Sequence, residues 1–345
     1  MAISKANDSY DATLDVHAGF VMAEVPLLPK LKVVLGERVE VTKQTVDPVD
    51  QLGIGGEEAE ERARLTDTSL LPSLSVLFSA TKNSKLRVSV SRTLARPQLR
   101  ELAPFAYVAY YGGRIESGNP NLTLTHINNA DVRFEHFPTL REVLAVTVFL
   151  KTFQDPIERV LIPTGQAPSV SYRNSPSATL IGVELEARKS LESLDSALKD
   201  FTGIANLTLS RSRVTVGQTG ADASGQGFMT NVTRPMMRQA PWVLNLALDY
   251  TNDDLGFGTR LLYNVTGPRI TDVGTDGIDD EYAQPRHLLD LVVTKDWTDS
   301  LKTKLTVGDI LNTDHVTTVG SDSDGAVASR YSGGTSVSLG ASYDF

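Results

Sequence analysis

The chain contains no cysteine. That excludes a disulfide framework, a thiolate metal site and a cysteine nucleophile. No apolar run reaches the roughly 18–20 residues of a membrane-spanning helix; the longest, VLAVTVFL from Val143 to Leu150, is strand-sized. The first twenty residues, MAISKANDSYDATLDVHAGF, have no basic segment followed by an apolar one, so no signal peptide is read in this chain. Positive charge is in deficit: 33 Lys and Arg against 42 Asp and Glu leave a formal charge of −9, with a pI near 5.1. Such a chain has no excess of cations to neutralise phosphates and is a poor nucleic-acid binder. Catalytic signatures are also missing. There is no G-x-S-x-G, H-E-x-x-H, Walker A or complete G-x-G-x-x-G, so no enzyme, cofactor or catalytic residue is expected. His126 and His136 lie on one predicted strand about 33 Å apart, too far to share a metal; with His17, His287 and His315 scattered, no metal site is expected. The loops TDVGTDGIDDEY (Thr271–Tyr282) and GSDSDG (Gly320–Gly325) concentrate carboxylates, but neither has EF-hand spacing.

What the chain does have is alternation. In PWVLNLALDY, Trp242, Leu244, Leu246, Leu248 and Tyr250 share one face, and Val243, Asn245, Ala247 and Asp249 the other. LGFGTRLLYNV, LKTKLTV and KLRVSVSRT repeat the pattern, which marks half-buried strands. Helical periodicity is confined to EEAEERARL (Glu57–Leu65) and SLESLDSALKD (Ser190–Asp200), each at most a short helix in a loop. About 13 strands are predicted, centred on Asp15–Val25, Leu31–Val46, Leu70–Ala80, Lys85–Leu94, Leu122–Phe137, Glu142–Leu161, Val170–Lys189, Gly203–Val216, Trp242–Tyr250, Leu255–Val265, His287–Lys295, Leu301–Leu311 and Thr335–Phe345.

The connections alternate between short turns and long segments rich in Gly, Asp, Ser and Pro, such as Asp47–Asp67, Arg96–Asn121, Gln218–Pro235, Gly267–Pro285 and Thr313–Gly334. Short turns at one end and long loops at the other mark an all-β, antiparallel transmembrane barrel, with its turns in the periplasm and its loops outside the cell. Trp242 and Tyr250 are eight residues apart on one face, roughly 26 Å along a strand. With a tilt of about 40° that gives about 20 Å of depth, near the ~25 Å apolar band between aromatic girdles. Charges on the opposite face, among them Arg87, Asp249, Arg260, Asp290, Lys302 and Lys304, suit a wet lumen. Glu37 fits poorly, because it shares its parity with Leu31, Val33, Leu35, Val39 and Val41.

Several segments carry a resemblance: SRTLARPQLRELAPF (Ser91–Phe105), GNPNL (Gly118–Leu122), DPIERV (Asp155–Val160), GVELEARKSL (Gly182–Leu191), RQAPWVLNLALDY (Arg238–Tyr250), LLYNVTGPRI (Leu261–Ile270), LTVGDILNTDH (Leu305–His315) and the terminal SLGASYDF. In this order they resemble TonB-dependent outer-membrane receptors, from about Tyr10 to the end. Asp309 stands where the family usually has Asn. The resemblance implies uptake of a scarce ligand (an iron chelate, cobalamin or a glycan), driven by a TonB energy-coupling complex acting on an N-terminal plug. It also implies partners in outer-membrane lipid and lipopolysaccharide and in the barrel assembly machinery, which reads a terminal Phe. No plug or coupling segment precedes the first strand. Residues 1–12 are therefore read as an irregular segment and 13–345 as part of a barrel, about 13 of 22 strands. Two other readings stand beside uptake: a surface adhesion or interaction barrel without transport, and a passive porin-like channel.

Candidate site residues follow from the same reading. FAYVAYYGGR (Phe105–Arg114) is the most aromatic stretch and falls in a predicted external loop. Tyr107, Tyr110, Tyr111 and Arg114 could stack on and clamp a ligand, or the stretch could form a girdle or a loop packed on itself. Trp242, Tyr250, Tyr343 and Phe345 are expected at the membrane interfaces, with Phe345 as an assembly signal.

Overall fold

The computed structural model describes residues 9–49, 62–108, 113–165, 167–216, 229–321 and 323–344. In chain order the elements are β1 (Ser9–Leu28), β2 (Leu31–Val49), β3 (Ala63–Ser79), β4 (Ser84–Ala95), α1 (Leu99–Leu102), β5 (Ala106–Val108), β6 (Ile115–Ser117), β7 (Thr125–His136), β8 (Val143–Gln154), β9 (Ile157–Ile162) and β10 (Ser169–Asn174). There follow β11 (Ser177–Ser190), β12 (Phe201–Thr215), β13 (Trp242–Asn252), β14 (Phe257–Thr266), β15 (Arg269–Gly274), β16 (Glu281–Ala283), β17 (Arg286–Asp296), β18 (Leu301–Gly308), β19 (His315–Val319), β20 (Val327–Tyr331) and β21 (Ser336–Tyr343).

Thirteen of these strands form one antiparallel meander, β1-β2-β3-β4-β7-β8-β11-β12-β13-β14-β17-β18-β21, the number and order that the alternation predicts. It is a curved wall with β1 and β21 at its edges rather than a closed cylinder. Register fixes its two faces. Leu185, Leu207, Leu244 and Val265 lie opposite one another in an outward row. Glu186, Asn206, Asn245 and Asn264 form an inward row. Because side chains alternate, a slip of one residue would exchange the two rows. The inward face satisfies its charges across strands. Arg260 donates two hydrogen bonds of 2.6 Å to Asp249, and Arg133 donates to Glu135 and Glu186 at 2.8 and 2.7 Å.

Three details differ from the sequence reading. The first strand begins at Ser9, not near residue 13. The segments Glu142–Leu161 and Val170–Lys189 are not two continuous strands. The chain leaves the wall at Asp155, which takes φ 53°, and Pro156, and it rejoins at Pro176 after the β9–β10 hairpin. Proline cannot donate to a ladder, so both breaks have a local cause. Of the two expected helices, Ser190–Asp200 holds two 3-10 turns. Of Glu57–Leu65 the described end, Ala63–Leu65, is strand.

The described parts of the long connections lie at one end of the wall, and there the sequence reading missed a second layer. Strands from the connections 96–124, 155–176, 267–285 and 309–335 assemble into an eight-stranded sheet, β20-β19-β16-β15-β9-β10-β6-β5. Two parallel contacts join separate connections: Val273 opposite Val160, and Val170 opposite Glu116. A bridge from Met229 to Thr275 ties in the connection after β12. The best-packed apolar groups are found at this end. Leu102 and Ala103 beside α1 pack against Val46, Ala63 and Leu122, and Val160, Met229, Ile270 and Val273 form a second cluster.

Candidate functional site

The eight-stranded sheet is held by ion pairs between different connections. Arg159 on β9 donates to Glu116 on β6 at 2.8 Å and also to Asp272 on β15. Arg114, just ahead of β6, makes a bidentate contact with Glu281 on β16, 2.9 Å at its Nη1. Tyr107 and Tyr172 each donate a hydroxyl to Glu116 Oε2, at 3.2 and 3.1 Å. Deeper, Arg234 forks onto Glu158 at 2.7 and 2.6 Å, and Ser175 donates to the same carboxylate. Asp280 accepts from the Gly274 N–H and from Asn231, both at 2.9 Å. Each buried charge thus meets an opposite charge or a directed donor, as groups removed from water require.

The titration behaviour follows from this burial. Burial raises the pKa of Asp272, and Arg159 opposes that only in part. Burial likewise raises Asp280 against the pull of the Gly274 N–H. Tyr107 and Tyr172 are both raised, first by burial; neighbouring Tyr172 and Glu116 raise Tyr107 further, and Glu116 raises Tyr172 further. For Arg159 burial alone would act downward, but Asp272 and Glu116 more than compensate. The network builds a charged lid from residues of separate connections.

Beneath the lid, on the inward side, lies a cavity of about 300 Å³. Arg96, Glu101, Phe153, Arg159, Tyr172 and Arg238 are among its lining residues. Arg96 is committed to Glu40 and Arg159 to its two carboxylates. Arg238 shares the cavity with Glu101, whose carboxyl is pushed up by burial and pulled back in part by the Gln98 N–H and the Arg238 charge. The Arg238 backbone is held at φ 64° while its N–H donates to Ile270 O at 2.7 Å. A non-glycine residue in the left-handed region carries strain, and such positions cluster at ligand sites.

Of the four candidate clamp residues, Tyr107 and Arg114 therefore sit in the lid with their polar groups paired. Arg100 lies over the Tyr107 ring, 4.9 Å from its centre. Tyr110 and Tyr111 lie outside the described residues. Trp242 opens β13 at the long-connection end. Tyr250 lies near the other end of β13, where its ring packs against Phe201 at 4.9 Å and Phe257 at 6.1 Å. Tyr343 ends β21 and is exposed; Phe345 lies outside the described residues. Asp309, with φ 53° and an ion pair to Arg286, occupies a left-handed position that Asp tolerates nearly as well as Asn.

Long antiparallel strands, an apolar outward face, a charge-paired inward face and loops of two length classes define a transmembrane β-barrel of the outer-membrane type. The family model described as TonB dependent receptor-like, beta-barrel matches residues 2–345, and the chain belongs to that family. Among solved structures it is similar to the ferric enterobactin receptor PfeA of Pseudomonas aeruginosa, solved as a point variant, with 16% identity and a TM-score of 0.58 over 97% of this chain and 54% of that one. It is also similar to the copper transporter OprC, with 15% identity and a TM-score of 0.66 over 97% and 48%. The ferric yersiniabactin uptake receptor FyuA of Yersinia pestis gives 15% identity and a TM-score of 0.61 over 97% and 46%. The chain thus spans about half the length of the solved structures it matches. No curated protein matches it significantly.

Proposed function

We propose that this chain supplies wall and ligand-facing lid to an outer-membrane receptor that takes up a scarce ligand of the iron-chelate, cobalamin or glycan class. The carrying observation is the cavity under the lid, whose lining brings Arg96, Arg159 and Arg238 together with Phe153 and Tyr172. A cavity lined by guanidinium groups and aromatic rings suits a ligand with delocalised negative charge and apolar edges. Import by such a receptor draws on a TonB energy-coupling complex, and Trp242, Tyr250 and Tyr343 anchor the wall at the two interfaces. The similar proteins named above handle ferric enterobactin, copper and ferric yersiniabactin. The test is binding of ferric enterobactin, ferric citrate, cyanocobalamin and a maltooligosaccharide to the detergent-solubilised chain. One of these should quench tryptophan fluorescence saturably, and Arg238→Glu should abolish that response. Failure of all four to bind, or an unaltered response in the variant, would overturn the reading.

A further inference from the structure

The meander is not zipped evenly. β3 and β4 pair from Ser79–Lys85 to Ser73–Ser91, and there their ladder stops. Continuing the register would set Leu71 opposite Thr93, Leu70 opposite Leu94 and Ser69 opposite Ala95. None of these pairs forms among the described residues. The outer neighbours stay paired: β3 runs on against β2 as far as Ala63–Val46, and β4 against β7 as far as Ala95–Thr125. The break has a local cause. The residue that would extend the ladder beyond Ser73 is Pro72, which has no N–H to give it. Glu37, the residue at odds with its neighbours, stands opposite Pro72 on β2.

Beyond the break, toward the long connections, the two sides of the seam overlap. Register gives an outward row through Leu74, Val90 and Ala130 and an inward row through Ser73, Ser91 and Asn129. By alternation, His126 and Arg96 share the outward parity, and Glu40, Thr42 and Ser69 the inward one. Yet Ser69 Oγ lies 3.1 Å from His126 Nε2. Arg96 Nε donates to Thr42 Oγ1 at 3.0 Å, and the same guanidinium pairs with Glu40. Outward side chains of one side thus touch inward side chains of the other, so the ends of β4 and β7 tuck inside β2 and β3. Each tie also skips a strand, and Gln44 adds one more by donating to Pro97 O at 3.0 Å. Glu40, Thr42, Gln44 and Ser69 are all buried. At the foot of the overlap, Glu37 Oε1 and Arg92 Nε are shut off from water and have no hydrogen-bond partner among the described residues. Orphaned buried groups of this kind are rare and call for an explanation. Beside them opens a groove of about 840 Å³, lined by Leu35, Leu74 and Val90 of the outward row and by Ser73, Ser91 and Asn129 of the inward row.

Resting on the reading of the meander as a membrane wall, we infer that the β3–β4 seam is a lateral door, hinged at Pro72 and latched by side chains. On the short-turn side of the hinge the backbone ladder holds the wall shut. On the other side no ladder joins β3 to β4, and the latch is the set of ties made by Arg96, His126 and Gln44. A boundary held by so few bonds opens before the fully paired strands around it, and the bend is absorbed at a few residues. Swinging the overlap apart frees Glu37 and Arg92 to find partners. It also joins the inward face of the wall to the outward groove.

The experiment uses the full chain in detergent micelles and double electron–electron resonance between nitroxides. The absence of native cysteine leaves only the introduced labels. One pair, Leu70→Cys with Ala95→Cys, spans the seam; the other, Leu77→Cys with Arg87→Cys, joins register partners in the zipped ladder. The seam pair should show a longer-distance population. Arg96→Gln and His126→Phe should each raise its share about three- to tenfold, the range that losing one hydrogen bond supports, while the zipped pair stays narrow. A rise in either variant with the zipped pair unchanged supports the door, so one variant that fails to fold does not decide the matter. No rise in either folded variant, or a zipped pair that broadens along with the seam, would overturn it. A chain that stays monodisperse without detergent would overturn the wall reading and the door with it. A detergent-bound chain with an unmoved seam would overturn the door alone.

Discussion

Arg234 and Glu158 form a forked ion pair in which the two side chains are 2% and 3% exposed. They lie 76 residues apart in the chain, in different connections. A pair so deeply buried stabilises less than its geometry suggests, because both ions have lost water. Removing one partner is another matter. Arg234→Ala should cost about 3–5 kcal/mol through the stranded carboxylate, whereas Arg234→Met with Glu158→Leu should be near neutral. Hydrogen exchange across β9 and β15 would measure it, and equal loss of protection in the single and double variants would refute it.

Gly118 sits where the chain returns beside α1. A Cβ there would come within 2.4 Å of Ala103 O and 2.6 Å of Ala103 N, both backbone atoms that cannot swing aside. Gly118→Ala should therefore push α1 off Val46 and Leu122, at an overpacking cost of about 1–3 kcal/mol. Proteolysis in the 96–124 connection should rise. Unchanged protection would show that the connection shifts as a unit.

His315 stacks on Tyr331 across the β19–β20 hairpin, with ring centres 4.4 Å apart and planes 8° from parallel. Burial, then Arg286 and Arg269, lower its pKa, and Asp309 only partly offsets them. The folded hairpin thus favours the neutral ring. Its contribution to stability is complete above the ordinary histidine value of about 6.5 and is lost as pH falls through the lowered one. The hairpin should be cleaved faster at pH 5 than at pH 7.5, and His315→Phe, which keeps the stack, should remove the difference. Identical pH dependence in the variant would assign the effect elsewhere.

The terminal Phe345 follows a strand whose outward residues are Val337, Leu339, Ala341 and Tyr343. Deleting Phe345 from the receptor should lower its yield in the outer membrane while leaving synthesis unchanged, measured by immunoblot of membrane fractions. Equal yield would remove the assembly role.

The wall was legible because its signal is local. Each strand alternates over eight or more residues, and the polar row of one strand meets the polar row of the next without further information. Arg260 and Asp249 could be placed on one face before any coordinates. The lid was not legible, for an equally physical reason. Its strands are three to six residues long, too short for a period to show. Its ties join residues such as Arg159 and Asp272, 113 apart. Two signals were present in the sequence: Asp155-Pro156 and Ser175-Pro176 each mark a break in a strand. Gln98 and Glu101 have the spacing of a capping box, and Glu101 does accept from the Gln98 N–H at 2.9 Å. Tyr107 and Arg114 stand out by composition, and Glu281 falls in the carboxylate-rich Thr271–Tyr282 segment, but Glu116 has nothing local to mark it and nothing local pairs Arg114 with Glu281.

The excursion between β8 and β11 departs and returns at neighbouring points. Ser175 N–H donates to Pro156 O at 2.9 Å, and directly below that seam Ser177 still pairs with Gln154 in the wall. The seam lets the wall run past residues 155–176 as though the chain had never left it. The excursion's anchors lie elsewhere: Glu158 and Arg159 are held by Arg234, Glu116 and Asp272 of three other connections. A change of sequence in this excursion is therefore felt by its neighbours in the lid before it is felt by the wall beneath.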